Sequence, residues 1–113
     1  MTEPIAALQD IVSRNQVWPV MAAKYGVTNP VPPWKTSLDG MCDALDRAAG
    51  GAGVPDVKER RDEEDVLSAT AYPNLPYPES QLVALAHSLL TRGIIDEDEL
   101  KQRLAGIRAR LQA

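Results

Sequence analysis

Phenylalanine is missing altogether, and the 113 residues hold one cysteine and one histidine. With Cys42 alone there is no internal disulfide, and a lone thiol fits a reducing compartment. No second histidine and no Cys-x-x-Cys pair is present to join His87 in a zinc site. The chain also lacks an 18-residue apolar run, a basic N-terminal start and an apolar leader. The expectation is a cytoplasmic chain with no membrane span and no secretory signal. Basic surplus is absent too, since twelve Lys and Arg face sixteen Asp and Glu. Residues 1–56 carry four basic and six acidic groups, and residues 57–113 carry eight and ten. Each half is therefore −2, whereas attachment to a phosphate backbone needs a cationic excess. DNA and RNA are excluded as expected partners.

What remains is a modest apolar supply. Fifteen alanines and twenty-six Val, Leu or Ile residues are joined by two Trp and three Tyr. That is enough for one domain spanning 1–113, with a helical arm over 1–35 and a helical body over 36–113. A core of this size gains from burial against another chain, and residues 1–35, with 50–78 next, are expected to depend most on such help.

The pattern along the chain is all-α. Thr2 and Pro4 suit a helix start, and Ile5, Leu8, Ile11 and Val12 follow at helical spacing. A short helix through Val20, Met21 and Tyr25 stops at Gly26. Prolines 30, 32 and 33 make residues 27–35 an extended connector. Ser37 is the expected cap of the next helix, whose buried stripe runs Leu38, Met41, Cys42, Leu45 and Ala49. Glycines 50, 51 and 53 end it in a flexible joint, because they follow a helix and lack the continuation of a phosphate loop. Segment 54–70 holds eight consecutive polar positions from Lys58 to Asp65, and a helix polar nearly all round needs neighbours to bridge. After a second proline-rich turn, 72–78, comes the best amphipathic pattern: Leu82, Leu85, Ala86, Leu89 and Leu90, closed by Gly93. Asp96 and Glu99 cap a last helix carrying Leu100, Leu104, Ile107 and Leu111, so the C-terminal part reads as a helical hairpin. No strand alternation is present.

On residue chemistry alone the chain holds no self-sufficient active site. His87 reads as a partly exposed helical histidine and Cys42 as a small buried hydrophobe. The acidic run 62–65 lacks the ligand spacing of a calcium loop. Two places stand out: the Arg60-Arg61 pair in an acidic stretch, and Tyr77 wedged between Pro76 and Pro78. Rigid turns presenting a tyrosine near an arginine suit a contact surface.

The run Tyr72-Pro-Asn-Leu-Pro-Tyr77, followed by Leu82 through Gly93 and the acidic cap before Leu100, resembles the N-terminal half of nitrile hydratase β subunits. The small chains of thiocyanate hydrolase share that pattern. Upstream, Pro30-Val31-Pro32-Pro33-Trp34 is similar to the family's Pro-Val-x-x-x-Trp opening, one residue shorter. The likeness covers about residues 29–110. It implies a non-metal, β-type subunit of an enzyme that hydrates a nitrile to an amide, not catalytic by itself. The cobalt(III) or iron(III) ion of such enzymes sits in an α subunit with a Cys-x-x-Cys-Ser-Cys claw, two of whose cysteines are oxidised. No cofactor is then bound by this chain. The resemblance places the arginine that hydrogen-bonds the oxidised sulfurs at Arg61, eleven residues before Tyr72, with Arg60 one register away. It places the tyrosine that reaches the α-chain serine at Tyr77, and Tyr72 and Trp34 along the substrate pocket. Pro78 and Gln81 stand where the family has a tyrosine and a tryptophan. The SH3-like barrel of complete β subunits does not follow, so the implied partners are the α subunit, a separate barrel chain and a small nitrile. Three other readings stand beside this one: a thiocyanate hydrolase subunit, an accessory metallochaperone for the α chain, and a plain helical interaction domain.

Overall fold

Every stretch with helical apolar spacing is helical, and so is the one stretch without it. The computed structural model describes residues 3–48 and 53–112. Among them are six helices and no strand: α1 (Ala6–Ser13), α2 (Trp18–Tyr25), α3 (Lys35–Ala48), α4 (Val57–Ala69), α5 (Glu79–Thr91) and α6 (Glu97–Gln112). The expectations for Thr2, Ala49 and glycines 50 and 51 lie outside the described residues.

Both glycine stops do what their freedom at positive φ allows. Gly26 (φ 68°) and Gly93 (φ 73°) sit in the left-handed region. Beside them Val27 N–H donates to Ala22 C=O at 2.8 Å and Ile94 N–H to Leu89 C=O at 2.9 Å. This is the paired-turn closure that satisfies carbonyls a helix end would leave bare. Asp96 accepts from Glu99 N–H at 3.0 Å and caps α6 as expected. Ser37, in contrast, is inside α3. The helix starts at Lys35 because the Pro32 and Trp34 carbonyls already accept from Lys35 and Leu38 N–H. Its stripe is narrower than the sequence implies: Leu38 is buried, Cys42 and Leu45 are half-buried, and Met41 is exposed.

Segment 57–69 is helical despite its charge, and it is the main neighbour of α5. Asp56 accepts from Glu59 N–H at 2.8 Å while the Glu59 carboxylate takes Asp56 N–H, a capping box that rescues two orphan donors. Leu67 supplies the apolar contact. The charges bridge neighbours: Arg60 reaches Asp46 on α3 at 2.6 Å, and Arg92 after α5 pairs with Glu63 and Glu59. Asp56→Ala is expected to lower unfolding free energy by about 1 kcal/mol, read from the urea midpoint.

Leu8, Leu67, Ala71, Tyr72, Val83 and Ala84 form the core, and Ile5, Ile11, Val12, Leu90 and Leu100 pack on its margin. At its centre the Tyr72 hydroxyl accepts from Ile5 N–H at 2.9 Å and shares a 2.7 Å hydrogen bond with His87 Nδ1. Burial lifts the phenol above its usual pKa, partly offset by the Ile5 bond. His87 is only 1% exposed, which corrects the expectation of a partly exposed histidine. The cause is tertiary: α5 packs on both α4 and α1, so little of its circumference meets water.

The N-terminal arm has ties of its own. Besides Ile5, Trp18 N–H donates to Glu79 at 2.6 Å, and Arg108 of α6 lies 3.4 Å from Asp10. Pro32 is buried, which pins the connector to the body. α6 rests on α1 after the short joint from α5, and the molecule measures 42 × 29 × 27 Å. Its radius of gyration, 14.6 Å, exceeds the roughly 13 Å of a compact chain of this length.

Candidate functional site

α3, α4, α5 and the proline turn before α5 enclose a half-open cleft of about 460 Å³. Cys42 and Asp46 come from α3, and Gln81, Leu85 and Ser88 from α5. α4 contributes Arg60, Arg61, Glu63, Glu64 and Asp65, and Tyr77 stands on the turn. The volume suits a small ligand or a protruding loop, although the walls are more charged than those of a usual ligand pocket.

The two adjacent arginines have different fates. Arg60 is tied down by Asp46 and by the Pro55 carbonyl at 3.1 Å, and its side chain is largely buried. Arg61 is exposed and makes no hydrogen bond or ion pair among the described residues. Neither Asp65 nor Asp62, which pairs with Lys58 at 2.8 Å, forms an ion pair with it. Its charge acts on Glu64, whose carboxyl is raised by burial and by Asp65 and lowered by Arg61.

Tyr77 is 66% exposed, and the peptide bond from it to Pro78 is cis. The Lys35 ammonium lies 5.4 Å from the ring centroid, a cation–π distance. Asp39 is the main cause of the raised Lys35 pKa, burial opposes it, and the Tyr77 phenol adds to it. Nothing in the sequence marks Lys35 except its place directly after the Pro-Pro-Trp turn. Gln81 donates to the Cys42 sulfur at 3.6 Å, and both residues line this cleft.

Arg61 and Tyr77, the expected pair, thus line one cleft, while Tyr72 and Trp34 do not. Tyr72 is 2% exposed and belongs to the core, its hydroxyl spent on Ile5 and His87. Trp34 is half-buried at the start of α3. Chemically, a guanidinium and a phenol are donors aimed at oxygen atoms or anions.

The Glu64 environment gives a pH signature. Its folded pKa lies above the unfolded value, so the folded state holds the proton more tightly. The penalty for charging it is absent below the unfolded pKa and complete above the folded one, so stability falls as pH rises through that window. Glu64→Gln is expected to raise the urea midpoint at neutral pH, with the advantage disappearing near about pH 3. An advantage that persists in acid would place its origin elsewhere.

No helix among the described residues is long and apolar enough to cross a membrane. Comparisons with protein-family models, curated proteins and solved structures give no match.

Proposed function

We propose that this chain is a β-type, non-metal subunit of a nitrile hydratase-like enzyme, docking its α3–α4–α5 cleft against a metal-bearing α chain. The observation that carries the reading is that Arg61, exposed and without an ion pair among the described residues, and the exposed Tyr77 line one open cleft. In the assembled enzyme, cobalt(III) or iron(III) held by the α chain supplies the Lewis-acid chemistry. Arg61 offers a fixed, permanently charged fork to oxidised sulfur, and the Tyr77 hydroxyl orients the α-chain serine or the attacking water. Arg60 is already committed to Asp46 and holds the cleft wall.

Co-expression with a Cys-x-x-Cys-Ser-Cys chain and a separate barrel chain tests this. The expected outcome is a stable complex that retains all three chains and hydrates a nitrile. Hydrolysis of thiocyanate in place of nitriles would assign the chain to that enzyme. Release of this chain once the α chain carries its metal would make it a metallochaperone. Failure to bind a claw-bearing chain at all would leave a helical interaction domain and end the hydratase reading.

A further inference from the structure

Leu100, Leu104, Ile107 and Leu111 recur along α6 at intervals of four, three and four, a heptad seam. Its beginning is covered, because Leu100 packs on the core and Leu104 is half-buried. Its last turns are not: Ile107 is 44% and Leu111 is 81% exposed. The edges of the seam are uniformly cationic. Lys101 and Arg108 flank it on the α1 side, where Arg108 meets Asp10 at 3.4 Å. Arg103 and Arg110 flank it on the open side, one heptad apart. Lys101 and Arg103 each have a glutamate one turn back, at 3.5 and 2.8 Å, whereas Arg110 makes no ion pair among the described residues. From Leu100 to Gln112 the helix carries no carboxylate.

Those edges select the occupant. A second copy laid parallel would set Arg103 against the other copy's Arg108, and one laid antiparallel would set Arg103 against Arg110. Like charges at flanking positions oppose both arrangements, and the antiparallel one most, because Arg110 has no carboxylate of its own among the described residues while Arg103 and Arg108 do. We infer that the outer half of α6 docks an amphipathic helix of a different chain, with an apolar seam edged by carboxylates at heptad spacing. No residue of α6 lines the α3–α4–α5 cleft, so this inference stands apart from the function proposed for the cleft.

The test titrates the intact chain, by calorimetry, with two synthetic helical peptides that share a leucine seam. One has glutamate at its flanking positions and the other lysine. The glutamate-edged peptide is expected to bind at least about tenfold more tightly, with affinity falling as salt is raised. Ile107→Glu and Arg110→Glu, both surface changes, should each weaken that binding at least about tenfold while the helical circular dichroism stays unchanged. Equal affinity for the two peptides, no binding of the glutamate-edged one, or wild-type affinity in both variants would overturn the inference. So would self-association of the chain that Ile107→Glu abolishes, which would give the face to a second copy.

Discussion

Arg61→Lys and Tyr77→Phe are each expected to lower kcat of the assembled complex at least about tenfold, on the order of 1.4 kcal/mol of barrier. Lysine keeps the charge but loses the planar fork that meets two oxygens at once. Phenylalanine keeps the ring, and so its contact with Lys35, but loses the hydroxyl. Both side chains are exposed in this chain, so neither change should disturb its fold. The Glu64 carboxyl supplies a control, because it feels the Arg61 charge directly. Its titration, followed by NMR, should be nearly the same in the lysine variant and should move upward in Arg61→Ala. Wild-type turnover in Arg61→Lys and Tyr77→Phe, in a complex that assembles with its metal, would reduce this chain to a scaffold.

Tyr72→Ala should be the most damaging single change to stability, by about 3–5 kcal/mol. That is a large share of the roughly 5–15 kcal/mol that holds a small domain together. The substitution empties the centre of the core and deprives Ile5 N–H of its acceptor at the start of α1. Tyr72→Phe separates the two losses. The ring remains, and about 1–3 kcal/mol is expected for the donor left without its partner. Urea unfolding followed by circular dichroism measures both. The same pair of variants distinguishes a core tyrosine from a pocket wall. A core residue changes the unfolding midpoint and leaves turnover of the folded complex alone; a wall residue does the reverse. Hydrogen exchange adds a local readout, since α1 should lose protection first when its Tyr72 tie is cut.

The parts of this protein legible in its sequence are those governed by neighbours along the chain. Apolar spacing marks α5 and α6, the glycines at 26 and 93 mark where helices close, and proline density marks both connectors. Asp56 and Glu59, three residues apart, form the capping box that starts α4, a local signal in a segment whose apolar spacing is silent. Arg61 and Tyr77 are what the resemblance in order and spacing points to, and both line one cleft. What the sequence could not settle depends on which surfaces meet. His87 looks exposed on a helix wheel, and only the contacts of α5 with both α4 and α1 bury it. Tyr72 and Tyr77 sit five residues apart with similar surroundings in sequence, yet one is enclosed by the core and the other faces solvent. Arg60 and Arg61 are adjacent and chemically identical, but a helix turns about 100° per residue. That rotation delivers Arg60 to Asp46 and leaves Arg61 exposed. Local periodicity determines the helices; the directions in which they pack decide which of their side chains remain available for function.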